Sequence, residues 1–227
     1  MPPWWGSRKG GGAVTARGIL VVLSGPSGVG KTVVSEGLQQ KAGFVRAITA
    51  TTRTPRAGEQ DGVDYLFLDR ARFEQRVEEG GFLEHAEVHG NLYGSPRDGI
   101  EQQLVQTRAV LLLIDVQGAR KLRQDGVDTL QIFLEPPGLE ELRRRIEMRG
   151  VENEEMVDLR LRNALSEMEQ KDGYDHCVVN EVLDDTVEEV ASIIEEELTR
   201  RGENLSRIED SALTDRWIWN GGTRAGC

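Results

Sequence analysis

The chain has 227 residues, 38% apolar and 30% charged, enough for one large domain or a core with small inserted lobes. Its formal net charge of −11 weighs against wrapping duplex nucleic acid or docking on an anionic membrane. The longest apolar runs, 19–23 and 109–114, fall far short of the roughly 20 residues a bilayer span needs.

Residues 1–17 are rich in Gly, lack periodicity and lack the apolar stretch of a secretory signal, so they read as a mobile arm. Residues 18–24 (GILVVLS) read as a buried strand, and a helix from about Lys31 to Gln40 carries Val34 and Leu38 at helical spacing. Residues 44–49 form a second strand. Strand-like pieces at 63–67 and 82–88 flank a helix over about 69–79. Asp69 caps that helix, Phe73 and Val77 share its face, and Gly80-Gly81 end it. Ser95-Pro96 reads as an N-cap followed by Pro at the first helical position, opening a helix with Ile100 and Leu104. Residues 109–115 are a very apolar strand ending in the carboxylate of Asp115, and 129–134 another, closed by Pro136-Pro137. Two helices follow, over about 138–149 and 153–171. Leu142 and Ile146 mark the inner face of the first; Val157, Leu161, Leu165 and Met168 mark that of the second. A short strand at 176–180 places Cys177 in an apolar run, as inert core. The last helix, about 184–200, carries Val187, Val190, Ile194 and Leu198. Residues 202–227 read as a flexible tail, apart from Trp217 and Trp219, which suit docking.

Strand–helix alternation with unbroken apolar strands predicts an α/β fold, a parallel sheet with helices on both faces. Such a sheet binds ligands beyond the carboxyl ends of its strands. That edge receives the loop after Leu23, the end of the 44–49 strand, and Asp115. The two cysteines, Cys177 and Cys227, give no disulfide framework and indicate a reducing, cytoplasmic setting. His85, His89 and His176 have no metal-ligand spacing and read as structural or solvent-facing.

The loop after the first strand, Gly25-Pro26-Ser27-Gly28-Val29-Gly30-Lys31-Thr32, matches G-x-x-x-x-G-K-[ST] in full. Glycines let successive backbone N–H groups turn inward as an anion nest, and the next helix points its dipole at the same phosphates. Lys31 adds charge at the β/γ-phosphates, and the Thr32 hydroxyl can ligate Mg²⁺. A chance Gly-rich turn would not sit between a buried strand and a helix start. The motif marks a nucleoside triphosphate site and does not separate a kinase from a GTPase or a binding module.

The charge is uneven. Residues 37–58 contain no acid but hold Lys41, Arg46, Arg53 and Arg56, whereas 181–200 are almost wholly acidic among their charges. Within the first stretch, TTRTPRAGE places Arg53 and Arg56 about Pro55, a fork suited to a phosphate monoester. The blander reading is a solvated basic loop.

With GVDY, FLE, NLYGS, IDVQGA and a lid ending in RLRNAL added in order, residues 18–200 resemble the guanylate kinases, which phosphorylate GMP with ATP. The resemblance implies a P-loop kinase fold with an inserted GMP-binding lobe and a helical lid. The domain is then 18–201: core 18–48, 96–137 and 172–201, GMP-binding lobe 49–95, lid 138–171. It assigns Arg53, Arg56, Tyr65 and Tyr93 to the GMP phosphate. It assigns the guanine edge to Glu84, helped by Thr49, Ser95 and Asp115. Arg145, Arg149 and Arg160 match lid arginines that gather on the ATP phosphates and the transferring group, and Asn180 a residue near the adenine. Lys31 and Arg53 join the lid arginines as catalytic cations, with Mg²⁺ accompanying ATP.

The chain departs from the family pattern at three places. Leu113 stands where an acid usually precedes the Asp of ID-x-QG. Thr49 replaces a usual Ser, and Val151 follows Arg149-Gly150 where Thr is usual. Two other readings stay open: a kinase with a different phosphorylated acceptor, and an interaction domain without catalysis. Tyr65, Glu84 and Tyr93 argue against the first, and Gly30-Lys31-Thr32 with the lid arginines against the second. Singly, the tyrosines could be core aromatics, Glu84 a solvent-facing strand residue, and the lid arginines partners of surface glutamates.

Overall fold

The computed structural model describes residues 18–88, 90–148 and 154–217, with side chains described to 202. The expected arm at 1–17, His89, Arg149, Val151 and Trp219 lie outside the described residues.

Five strands build the main sheet: β1 (Ile19–Ser24), β2 (Phe44–Arg46), β7 (Ala109–Leu113), β8 (Leu130–Glu135) and β9 (His176–Val179). Their order is β2-β7-β1-β8-β9, and every pairing is parallel. Side chains alternate across the sheet with period two. Ile19, Val21 and Leu23 of β1 pack with Val34 and Leu38 of α1 (Lys31–Leu38) and Val190 and Ile194 of α7 (Leu183–Trp217). Leu20 and Val22 pack on the opposite face with Ile100 and Leu104 of α3 (Arg97–Gln106) and Ala119 and Leu122 of α4 (Val116–Gln124). Strands buried on both faces explain the unbroken apolar runs.

Between β2 and α3 the chain builds a second sheet, β4-β3-β6-β5, from β3 (Ala50–Thr51), β4 (Leu66–Phe67), β5 (Phe82–Val88) and β6 (Asn91–Pro96). It has its own core. Phe73 of α2 (Arg70–Glu78) stacks on Phe82 with ring centroids 4.6 Å apart, beside Ala50. Asp69 caps α2 as its sequence position implies, accepting from the Arg72 backbone N–H at 2.8 Å. The segment expected as a lid pairs α5 (Leu139–Met148) with α6 (Glu154–Met168) through Leu142, Ile146, Val157 and Ala164.

Several details depart from the sequence reading. The 44–49 strand stops at Arg46, where the chain leaves the main sheet for the small one. The 63–67 strand shrinks to Leu66–Phe67 because residues 60–64 form a turn, with Gly62 at φ 75°. Ser95 is not a helix cap: it lies in β6, and Pro96 takes the cap position. Helix α4 was not expected; it is polar on average and buries only Val116, Gly118, Ala119 and Leu122. Cys177 is exposed on the edge strand β9, where only Val178 turns inward. Leu165 is 43% exposed, because α6 rests on the lid's small core through Val157 and Ala164 instead. Helix α7 runs on to Trp217, through the first part of the expected tail, in a stretch that no proline interrupts.

Leu111 sits fully buried in β7, paired with Val21 on one side and Arg46 on the other. Leu111→Ala is expected to remove about 2–5 kcal/mol of stability. Urea unfolding checks this: the midpoint falls while the slope stays constant.

Candidate active site

The P-loop joins β1 to α1 at the carboxyl edge of the main sheet. Gly25 has φ 139°, and a Cβ there would meet the Leu134 backbone oxygen at 2.3 Å. Only glycine lets the turn run this close to β8. Gly30, at φ 105°, is the N-cap of α1, and a Cβ on it would strike the Asn180 amide at 2.5 Å. Gly28 lies beneath Ile146 and Leu142, so the lid helix α5 rests on the loop tip. Lys31 folds back along the loop, donating to the carbonyls of Gly25 and of Pro26, the latter at 3.2 Å. Ser27 and Thr32 are exposed, whereas Pro26 and Val29 are buried.

Asn180 is almost fully buried and donates to the Val29 carbonyl at 2.7 Å. Arg145 reaches the same place from the lid, donating to Val29 O at 3.3 Å and Asn180 O at 3.1 Å. Its Nε donates to Glu141 at 2.7 Å. Arg144 and Arg145 hold the Glu141 carboxyl down to about 2. Arg160 lies half-buried on α6, so two of the three expected lid arginines are described.

The small sheet carries a second cationic site. Arg53 grips Glu59 with both guanidinium arms, at 3.0 and 2.9 Å. Glu59 also accepts from the Arg56 backbone N–H at 2.7 Å. This pairing raises the Arg53 guanidinium and lowers the Glu59 carboxyl from their ordinary values. The Arg53 guanidinium lies 5.5 Å from the Tyr65 ring centre, and Tyr65 meets Tyr93 edge-on at 6.4 Å. Arg53, Tyr65 and Tyr93 therefore form one cluster, with the exposed Arg56 side chain at its margin.

Glu84 occupies a β-bulge. Phe82 pairs with Pro96 and His85 with Gly94, so Leu83 and Glu84 together oppose Ser95. A bulge breaks the alternation and re-aims side chains. Phe82 enters the lobe core, Leu83 the main core, and Glu84 turns into a buried pocket, only 5% exposed. The Ser95 hydroxyl donates to Glu84 Oε1. Burial pushes the Glu84 carboxyl up to about 7; the Ser95 hydrogen bond opposes this and the charge of Asp115 adds to it. Asp115 caps α4, accepting from the Gly118 N–H at 2.9 Å. Thr49 is buried in the link between β2 and β3.

Asp115 acts electrostatically on two acids. Its charge acts on Glu84 in the small-sheet pocket and on Glu167 of α6. Burial raises the Glu167 carboxyl, while Lys31 and the Ser27 N–H favour its charged form. Nearby, the buried Tyr174 hydroxyl faces the buried Ser24 Oγ. Burial pushes the Tyr174 phenol up to about 12.

The structure thus brings Lys31, Asn180 and Arg145 together at the P-loop, Arg53, Tyr65 and Tyr93 together on the small sheet, and Glu84 against Ser95 at the bulge. Sequence reasoning missed Glu59, Glu141 and Glu167, the acids that partner these cations. Glu59 lies inside the TTRTPRAGE segment, and that proximity to Arg53 was the available signal. The other two were indistinguishable among the lid's many glutamates. Among the described residues, no group of three His, Cys, Asp or Glu could hold a metal ion, and no helix is long and apolar enough to cross a membrane.

The guanylate kinase family model matches residues 17–197. A guanylate kinase of Clostridium perfringens (strain 13 / Type A) is 41% identical over 201 residues, 88% of this chain and 91% of that protein. One from Listeria monocytogenes serotype 4b is 45% identical over 186 residues, 81% of this chain and 91% of its own length. The crystal structure of guanylate kinase from Anaplasma phagocytophilum superposes with a TM-score of 0.67 at 34% identity, covering 81% of this chain and 88% of that one. A family match across the strands, lobe and lid described above places this chain in the guanylate kinase family.

Proposed function

We propose that the P-loop holds ATP, the small-sheet lobe holds GMP, and the lid cations close over both, so that the γ-phosphoryl group passes to the GMP phosphate. The reaction is the ATP-dependent phosphorylation of GMP, giving ADP and GDP. The observation that carries the reading is the adjacency of β1 and β7, which brings the P-loop and Asp115 out side by side at the carboxyl edge of the sheet, with Arg145 reaching Val29 O and Asn180 O from α5.

In this reading Arg53, Arg56, Tyr65 and Tyr93 bind the GMP phosphate. Glu84, Ser95, Asp115 and Thr49 read the guanine edge. Gly25 through Thr32 cradle the ATP phosphates, Asn180 props the loop near the adenine, and Arg145, Arg149 and Arg160 neutralise the transferring group. The lobe spans 49–95, the lid 138–171, and the core the rest of 18–201. Phosphoryl transfer is mainly positioning and charge neutralisation, so it requires no nucleophilic side chain.

The donor set suits Mg²⁺. This ion keeps most of its waters and takes few protein ligands beside substrate phosphates. Exposed Thr32, at the start of α1, offers one hydroxyl oxygen, and no all-protein cage is required. When bound, Mg²⁺ offsets phosphate charge and polarises the transferring group. A cytoplasmic setting, with no nucleic-acid or membrane partner, fits the charge of −11 and the exposed Cys177 thiol.

Lys31→Ala is expected to lower turnover by about 10²–10³-fold, the scale for removing one transition-state charge donor. Its circular dichroism should match that of the unaltered protein. A coupled assay for ADP, run with GMP, with AMP and with neither, measures this. ADP release independent of GMP would overturn the acceptor assignment.

The raised Glu84 carboxyl gives a pH signature. Guanine presents two adjacent donors, N1–H and N2–H₂, which the ionised carboxylate accepts. Below about pH 7 the free pocket holds the protonated acid, with Ser95 and Asp115 as its polar neighbours. GMP binding must then expel a proton, so kcat/KM for GMP should fall toward tenfold per pH unit as pH drops below about 7, and level off above it. The KM for ATP should not follow. Glu84→Gln should flatten the GMP profile, and an unchanged profile in that variant would refute the assignment.

A further inference from the structure

The glycine at position 118 lies in the first turn of α4, and its backbone does not require glycine. Among the described glycines with positive φ, Gly118 is absent. In such a helical position glycine is less favourable than alanine by about 1 kcal/mol. Helix formation therefore gives no reason for it, and the reason lies in what touches it.

A Cβ built on Gly118 would lie 2.8 Å from Glu84 Oε2, 3.2 Å from Glu84 Cδ and 3.3 Å from Ile114 Cδ1. The second carboxylate oxygen of Glu84 thus rests directly on the bare Cα of Gly118. The first is fixed on the other side by the Ser95 hydroxyl. The Gly118 N–H meanwhile donates to Asp115 Oδ1 at 2.9 Å. One residue sets both acids of the pocket: its amide holds Asp115, and its missing side chain admits Glu84. Asp115 and the α4 backbone cannot move without losing the cap, so the spacing of the two acids depends on how closely Glu84 approaches residue 118.

From this contact we infer that Gly118 is a positioning and specificity-determining residue for base recognition, acting through Glu84. The inference rests on the reading of Glu84 as the acceptor of the guanine donors. A methyl group at 118 meets the far end of a flexible side chain and not packed backbone. It therefore displaces the Glu84 carboxylate from the plane where N1–H and N2–H₂ must meet it, while the fold stays intact. A site built to pair a polar edge loses discrimination when its acceptor is displaced, because adenine is then no worse served than guanine.

The test compares Gly118→Ala, Glu84→Gln, Glu84→Asp and the double variant Gly118→Ala/Glu84→Asp. Gly118→Ala is expected to raise the KM for GMP at least tenfold. It should lower the GMP-to-AMP ratio of kcat/KM by a similar factor, with the KM for ATP within about twofold and the thermal midpoint not lowered. Glu84→Asp withdraws the carboxylate by one methylene and makes room for the methyl. The double variant should then exceed the product of the two single effects by at least threefold in kcat/KM for GMP. An unchanged KM for GMP in Gly118→Ala overturns the proposal, and so does an equal rise for ATP and GMP, which marks a general structural defect. Strict additivity in the double variant overturns the route through Glu84. An unaltered KM for GMP in Glu84→Gln instead overturns the base-reading assignment itself, and the proposal with it.

Discussion

Two polyanions must meet in this protein, and their mutual repulsion is the constraint on which the site depends. The chain itself carries a net charge of −11, so its cations cannot act as a diffuse positive field. They are concentrated and individually held. Arg53 is clamped by Glu59, Arg145 by Glu141 and two backbone carbonyls, and Lys31 by the carbonyls of its own loop. Each arrangement fixes a long side chain whose rotamer freedom would otherwise be lost on binding. In the proposed reading, a phosphate oxygen arriving at such a cation meets a side chain already positioned. Glu59 and Glu141 also neutralise Arg53 and Arg145 in the free protein. In the half-buried Arg53–Glu59 pair, with 14% and 19% side-chain exposure, this matters more than in the exposed pairs on α2.

The parallel sheet makes that concentration possible. Strand β1 lies between β7 and β8, so whatever follows these three strands emerges side by side. After β1 comes the P-loop, after β7 comes Asp115, and after β8 comes the lid. Strand β9, next in order, delivers Asn180. The close packing of Gly25 on the Leu134 carbonyl couples the phosphate loop to the strand that launches the lid. Helix α5 then returns to cover Gly28. The small sheet is attached by only two links, after β2 and before α3, and it has a separate core of Ala50, Phe73 and Phe82. The bulge in β5 is where this unit joins the main core, through Leu83 and through Glu84 against α4.

The parts legible in the sequence were those that physics writes locally. Apolar runs gave the main strands, Asp69 gave a cap, and the spacing of glycines with Lys31 gave the phosphate loop. Local signals failed where tertiary contacts override them. Ser95-Pro96 has the composition of a helix start, yet Ser95 is the partner of a buried acid across a strand pair. The segment 91–96, with Gly and Pro, has weak strand propensity and is held by pairing to β5 and β3. Helix α4 shows apolar residues only at Val116, Ala119 and Leu122, spaced by three, within a basic stretch. Cys177 and Leu165 were misjudged because an apolar neighbourhood in sequence does not say which side of an edge strand or lid helix meets the core. Within the site, the cations announced themselves by motif. Their acidic partners did not, because the pairing of Glu59 with Arg53 depends on a loop closing over Pro55, and one glutamate in a glutamate-rich lid looks like another.

The bulge at Leu83 and Glu84 shows why one acid can be costly and still useful. A carboxylate removed from water resists ionisation, and the raised Glu84 carboxyl records that resistance. In the free protein the Ser95 hydroxyl offsets only part of it. A ligand edge with two adjacent donors offsets more, and an edge with an acceptor there adds a lone pair to an already unfavourable charge. In the proposed reading of Glu84 as the guanine acceptor, the penalty of burial is converted into a difference between ligands, which an exposed carboxylate solvated by water could not produce. The conversion requires that the acid be unable to turn away. Ser95 on one side and the bare surface of α4 on the other leave it a single place to stand. On that reading, recognition depends as much on the two strands and one helix that confine Glu84 as on the acid itself.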